Sequence, residues 1–375
     1  MNCPILILDG GLGTSLEQKY GCTFDHTTPL WSSDLLVSDP ARLRRCQADF
    51  GRVPVDVLLT ATYQVSVAGF AKTRDPEVTA TATAASGEGG DEGIPRARIP
   101  HYIDAAVRIG REAAPRPATR LALSVGPYGA CMVPSQEYSG AYDEGGASEE
   151  ALFAWHRDRL RLFAAVGDLP ARVSFVALET VPRVDELVAM RRALADVGLS
   201  ATAAATTSSA GDGAAPPAPP LPFWASCLYP GDDGRLPDGS SVEAALRAML
   251  DPAPAPPAWG VGINCTKVHR LDGLLRRYEA AVASLLRQGV ARAWPALVLY
   301  PDGTNGEVYN TTTQTWERPP PGDADQGGAD GRSWAQQLAE VVRATRSRGR
   351  WTHIVVGGCC MAGAEDIAAL RAELL

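Results

Sequence analysis

The sequence predicts an α/β fold, a (β/α)8 TIM-type barrel carrying Gly/Pro-rich surface insertions. Three observations predict it. Eight short apolar runs recur along the 375 residues. Amphipathic helical patterns lie between them. Each run ends in small or polar residues, at the rim where barrels of this type place their active sites.

The runs come first. They are ILILDGG from Ile5, VDVLLTATYQ from Val55, LALSVGPYGA from Leu121, SFVALETVP from Ser174, PFWASCLYP from Pro222, WGVGINCT from Trp259, PALVLYPDG from Pro295 and HIVVGGCC from His353. Near-continuous apolar strands are buried on both faces, as in a parallel sheet. Helical patterns separate them, among them DPARLRRCQADFG, HYIDAAVRIGREAA, SEEALFAWHRDRLRLFAAV, LDGLLRRYEAAVASLLRQG and SWAQQLAEVVRATRSRG. Strands alternating with helices imply right-handed βαβ units, and eight of them suggest closure into a barrel. Segments 79–93, 206–222 and 318–331 are rich in Gly, Pro, Ala and Asp, and are expected to be mobile surface insertions. Barrel units continue on both sides of each, so residues 1–375 are expected to form one domain.

Composition narrows the function. The chain is 45% hydrophobic and 21% charged, with net charge −8. That is ample for a core, and no long basic cluster is present, which argues against nucleic acid or an anionic membrane as partner. The N-terminal apolar stretch is short and lacks a basic leader, so it is expected to be a strand. No run approaches the roughly 18 apolar residues of a membrane helix. A cytoplasmic protein with reduced thiols is expected. Cys3, Cys22, Cys46, Cys131 and Cys227 are scattered singly and read as small buried hydrophobes.

The strand-ending residues are the candidates for chemistry. They are Asp9-Gly10-Gly11, Thr60 to Gln64, Gly126-Pro127-Tyr128, Glu179-Thr180, Asn264-Cys265, Tyr300-Pro301-Asp302 and Gly357 to Cys360. Cys265, Cys359 and Cys360 end runs six and eight, which one strand separates in a barrel. Three thiolates suit zinc, and a catalytic zinc keeps three protein ligands with one open position. Successive side chains on a strand point to opposite faces, so both vicinal cysteines can ligate only if the strand has ended; Gly357 and Gly358 permit the turn. A buried or redox-active thiol pair is the competing reading.

The carboxylates also carry alternatives. Asp9 could accept a hydrogen bond from a substrate ammonium, or cap a helix. DGGLGTSLE fails as a dinucleotide loop, because position 16 is Leu16. Glu179 is functional, or paired with an Arg of the next helix. Thr60, Thr62 and Gln64 share one strand face, and Tyr63 takes the other unless the strand has ended. Trp31 and Tyr300 could wall a pocket or belong to the core. The five histidines lie outside this constellation, and His353 begins its run at the opposite rim.

The motifs ILDGGLGTSLE, TATYQ, GPYGA, ALETVP, GINCT, YPDG with GEVY, and GGCC stand in one order from Ile5 to about Leu370. In this the chain resembles the homocysteine S-methyltransferase family, in its S-methylmethionine or S-adenosylmethionine branch. The resemblance implies a zinc-bearing barrel that methylates homocysteine to methionine. It implies Cys265, Cys359 and Cys360 as the Zn2+ ligands. It implies Asp9, Gly10, Thr60 and Glu179 as homocysteine-binding groups, with Asp9 and Glu179 on the ammonium. Gln64, Asn264 and Trp31 join them as substrate-side candidates, Trp31 through cation–π attraction to the donor. The homocysteine sulfur, held as thiolate at zinc, would attack the methyl of a sulfonium and release a neutral thioether, a leaving group needing no general acid. Two other readings share these residues: a non-catalytic zinc or thiol redox-sensing barrel, and the same chemistry with betaine as donor. Oxidation is expected to pair the vicinal thiols or damage them and release zinc.

Overall fold

The computed structural model describes residues 3–25, 27–75, 93–114, 116–200, 220–304, 307–310, 315–317 and 331–375. Segments 79–92, 206–219 and 318–330, the bulk of the expected insertions, lie outside the described residues, as do His26, Asn305 and Gly306, the first residue of the GEVY motif.

Every apolar run supplies a strand. They are β1 (Ile5–Ile7), β2 (Val57–Leu59), β3 (Arg120–Val125), β4 (Phe175–Val181), β5 (Phe223–Cys227), β6 (Gly260–Asn264), β7 (Ala296–Tyr300) and β10 (Ile354–Val356). All pair in parallel in the order β1-β10-β7-β6-β5-β4-β3-β2. A parallel bridge from Leu8 to Val57 joins the two ends and closes the barrel. A short antiparallel hairpin, β8 (Val308–Asn310) with β9 (Thr315–Glu317), follows β7 and was not legible in the runs.

The helices between strands begin where their sequences place capping groups. Ser148 accepts from the Ala151 N–H and starts Glu149–Ala164, with Glu149 and Glu150 in its first turn. Ser333 and Gln336 form a capping box at the start of Trp334–Ser347. Their apolar faces build one layer of core against the outside of the sheet. Inside the barrel a second cluster includes Leu8, Val57, Phe175, Trp224, Val298 and Tyr300. Side chains fill the interior, as expected of an eight-stranded barrel, so any ligand must sit above them. The fully buried Trp224 donates from Nε1 to the Tyr300 hydroxyl at 3.3 Å. That bond fixes Tyr300 as part of the floor on which the site stands. Among the described residues, no helix is long and apolar enough to cross a membrane.

Candidate active site

One pocket opens at the C-terminal ends of the strands, and the ten residues expected as metal ligands or substrate-side groups line it: Asp9, Gly10, Trp31, Thr60, Gln64, Glu179, Asn264, Cys265, Cys359 and Cys360; of the other strand-end candidates, Thr62, Gly126, Pro127, Tyr128, Pro301, Asp302 and Gly357 are not in its lining. The barrel explains the convergence. Residues far apart in the chain share only the property of following a strand, and parallel strands all end at one rim.

The thiols are held by backbone in unusual conformations. Asn264 closes β6 and is wholly buried. Its side-chain oxygen accepts from the Thr180 N–H at 3.0 Å, and its amide donates to Thr180 Oγ1 at 2.7 Å and Cys265 Sγ at 3.3 Å. The two residues it bridges both sit in the left-handed region, Thr180 at φ 57° and Cys265 at φ 46°. Non-glycine residues reach that region only when their surroundings hold them there. Asn264 therefore orients Cys265 from β6 while tying it to the end of β4.

Cys359 and Cys360 face the same point because β10 has ended at Val356. The backbone then steps between neighbours: the Gly357 N–H donates to Leu299, that of Gly358 to Asp9 and that of Cys359 to Pro301. The role of the glycines differs from the expected turn. Neither has positive φ; the left-handed residue is Met361, at φ 65°. Instead a Cβ at Gly357 would run into the carbonyls of Asp9 and Leu8, and one at Gly358 into Ala362. The glycines allow close packing, which brings the cysteines to the neighbouring strand ends. Gly10 is of the same kind, with the Ala362 carbonyl where its Cβ would stand.

The three Sγ atoms lie within 4.8 Å of one another. Cys265 and Cys359 are in disulfide contact, their Cα atoms 5.6 Å apart, while the Cys359 and Cys360 sulfurs stand 4.0 Å apart. Tetrahedral zinc–thiolate bonds of about 2.3 Å separate sulfurs by roughly 3.8 Å, so the cluster is of the right size to close around one such ion.

The carboxylates do not take their structural alternatives. The helix Leu12–Tyr20 begins without a side-chain cap at Gly11, and Asp9 instead accepts the Leu59 N–H on Oδ2 at 2.9 Å. Its Oδ1 is buried without a hydrogen-bond partner. Burial raises its pKa well above the usual 3.8, against the Leu59 bond, and the charge of Glu179 adds to the rise. Arg183, at the start of the next helix, pairs with Asp185 rather than with Glu179. Glu179 accepts from the Ser124 hydroxyl at 2.5 Å. Its pKa is pushed up to about 7 by burial, which outweighs the hydrogen bonds from Ser124 and Tyr300. Two carboxyls whose ionised forms burial disfavours, in a pocket lined by no Lys, Arg or His, are suited to receiving a cation.

The segment after β2 departs from the expected alternation. The strand stops at Leu59, so Thr60, Tyr63 and Gln64 all line the pocket, while Thr62 turns to bond Thr60 Oγ1 at 2.7 Å and the Ser124 carbonyl at 2.8 Å. Gln64 donates to the Ala130 carbonyl at 2.9 Å. Trp31 and Tyr300 both wall the pocket.

Sequence reading missed Glu137 and Tyr138, which a loop after β3 carries over the pocket. The Tyr138 hydroxyl lies 3.7 Å from Cys360 Sγ. Glu137 is 8% exposed, its Oε2 has no hydrogen-bond partner, and burial pushes its pKa up to about 7. Attention to strand ends alone passes over residues a loop brings back. That loop is anchored by Glu186, which accepts from the Tyr128 N–H and the Tyr142 hydroxyl, each at 2.5 Å, and faces His156 Nε2 at 2.8 Å. His156 is thus structural, as expected. Arg159 donates to the carbonyls of Tyr63, Val65 and Gly126, pinning the loops after β2 and β3 together.

Comparison with known proteins agrees with this geometry. The family model described as homocysteine S-methyltransferase matches residues 6–374. The chain belongs to the homocysteine S-methyltransferase family. It is accordingly an enzyme of the methyltransferase class. It is similar to the homocysteine S-methyltransferase of Escherichia coli, 29% identical over 98% of this chain and 95% of that one. It is also similar to a betaine-homocysteine S-methyltransferase of Drosophila melanogaster, 27% identical over 98% of this chain and 93% of that one. Among solved structures it matches the metallated form of the Escherichia coli homocysteine methyltransferase MmuM, with TM-score 0.62, 25% identity and coverage of 98% and 96%. An oxidized form of the same enzyme matches with TM-score 0.63 and 26% identity, covering 98% and 95%.

Proposed function

We propose that this pocket transfers a methyl group from a sulfonium, S-methylmethionine or S-adenosylmethionine, to the thiol of homocysteine, giving methionine, with zinc as cofactor. The observation that carries the reading is the three-cysteine cluster at the floor of a pocket that also holds Asp9 and Glu179. Membership of the family supports homocysteine as acceptor.

Cys265, Cys359 and Cys360 would hold the ion, and an all-thiolate donor set favours zinc over magnesium or calcium. Zinc, when bound, holds a substrate thiol in its thiolate form near neutral pH. The remaining work falls to the chain. Asp9 and Glu179 receive the homocysteine ammonium, which restores to each the charge that burial discourages. Thr60 and Gly10 shape the wall beside them. Asn264 keeps Cys265 in its left-handed conformation. In the reaction the homocysteine thiolate attacks the donor methyl carbon, a new C–S bond forms, and the old one breaks toward the sulfonium sulfur. That sulfur leaves as a neutral thioether, so no proton donor is required of the pocket.

A charge inventory favours a sulfonium over betaine. Among the described residues, the pocket is lined by Asp9, Asp25, Glu137 and Glu179 and by no Lys, Arg or His. Either donor brings a carboxylate that meets no Lys, Arg or His there, but the sulfonium amino acid carries a net positive charge and betaine none, so the acidic lining favours the sulfonium. Incubating the purified protein with homocysteine and each donor in turn, while following methionine and metal content, tests the proposal. Methionine formed only with betaine would overturn the donor assignment. A metal-free protein with full turnover would overturn the zinc. Metal bound with no turnover on any donor would leave the zinc or thiol redox-sensing barrel.

A further inference from the structure

The pocket's carboxylates fall into two groups. Asp9 follows β1 and Glu179 lies near the end of β4, and Asp9 feels the charge of Glu179. Each also accepts a hydrogen bond from the protein, Asp9 from Leu59 and Glu179 from Ser124. Glu137 stands apart from them on the loop after β3. It is hydrogen-bonded by the Ser135 side chain and its own backbone, and its charge is felt by Tyr63, Cys131, Tyr138, Tyr142 and Cys360. Its Oε2 is buried in the pocket lining without a partner. A buried carboxylate oxygen left without a partner is costly, and such groups call for an explanation.

The neighbours supply the explanation. Tyr138, the next residue, reaches to 3.7 Å from Cys360 Sγ, so this loop overlies the thiol cluster. A methyl donor that reaches a thiol held at that cluster shares the pocket with this loop. Tyr63, Tyr138 and Trp31 line the same space. A carboxylate among aromatic rings is a setting for a cation that offers no hydrogen-bond donors, because attraction comes from charge and from the ring faces. A trivalent sulfonium is such a cation; the ammonium of an amino acid is better served by hydrogen-bonding groups.

We infer that Glu137 is a specificity-determining residue of the methyl donor site, holding the positive sulfur of the sulfonium while Asp9 and Glu179 hold the acceptor. The inference rests on the proposed homocysteine methyl transfer and assigns the donor half of that same pocket. It also accounts for release: once the methyl has gone, the sulfur is neutral and its attraction to Glu137 is lost.

The test compares the wild type with Glu137→Gln, which keeps shape and removes charge, and with Glu137→Asp, which keeps charge. S-methylmethionine and its neutral counterpart methionine are the probes. Glu137→Gln should weaken S-methylmethionine binding by about ten- to a hundredfold in titration calorimetry. It should leave methionine binding within about twofold, and kcat/KM for S-methylmethionine should fall by a similar factor while KM for homocysteine holds. Glu137→Asp should retain more of the selectivity than Glu137→Gln, with melting temperatures confirming that both variants fold. Equal weakening of both probes would show a merely structural role and overturn the inference, as would unchanged selectivity or a rise confined to KM for homocysteine. If the wild type forms no methionine from any sulfonium, the proposed reaction fails. The calorimetric contrast between charged and neutral probe, read without turnover, then still decides for or against Glu137.

Discussion

Replacing Glu179 by Gln should make the protein more stable and less active at the same time. In the fold, burial moves the Glu179 carboxyl from an ordinary 4.5 up to about 7. Ionising it there costs on the order of 3 kcal/mol more than in the unfolded chain, since one pKa unit is about 1.4 kcal/mol. The groups facing it offer little relief: hydroxyls of Ser124 and Tyr300, and the like-charged Asp9. The sign follows from proton counting. Between 4.5 and about 7 the folded state binds more protons than the unfolded, so this residue's contribution to stability falls as pH rises through that window. The variant carries no such penalty. Its gain should be nearly absent at pH 4.5 and should approach the full value, about 3 kcal/mol, at pH 8. Urea denaturation of both proteins at the two pH values measures it. Steady-state kinetics should show kcat/KM for homocysteine falling by roughly ten- to a hundredfold, the loss of one charge-assisted hydrogen bond. An equal stability difference at both pH values would refute the reasoning. So would a variant less stable at pH 8, or one with an unchanged requirement for homocysteine.

Three further outcomes are expected. Cys359→Ser should lose bound metal and activity together, as read by elemental analysis and methionine formation, because two thiols cannot replace a three-thiolate site. Asn264→Ala should destabilise the protein by about 1–3 kcal/mol in denaturation, since the buried Thr180 N–H and hydroxyl lose their partner, and should weaken metal binding by freeing Cys265. Mild oxidation should release the metal from the three-thiol cluster and abolish methionine formation, and reductant with added zinc should restore both, as read by elemental analysis and activity.

Much of the site was legible in the chain because a parallel barrel imposes a simple rule. Strand ends meet at one rim, so Asp9, Thr60, Glu179, Asn264, Cys265 and the vicinal cysteines could be grouped before any coordinates, and the pocket contains them all. Eight apolar runs sufficed for the fold, since burial on both faces leaves a continuous apolar signal that short strands still carry. Local conformation was harder. Where β2 stops decided that Tyr63 and Gln64 share the pocket, and alternation along a strand cannot foresee its own end.

The amino-acid sequence by itself determined the architecture, the placing of three thiols within reach of one another, and the family, through residue types at spacings that chance does not assemble. Only the tertiary structure decided how those groups are held. It showed that Asn264, closing β6, orients Cys265 and ties it to the end of β4, that Gly357 and Gly358 serve close packing rather than a left-handed turn, and that Asp9 bonds a neighbouring strand instead of capping its helix. It also brought Glu137 over the thiols on a loop clamped by Glu186. The physical reason is the same throughout. Strand and helix periodicities are local properties that a sequence displays, whereas hydrogen-bond partners, collisions and burial depend on segments distant in the chain, whose meeting only the folded barrel supplies.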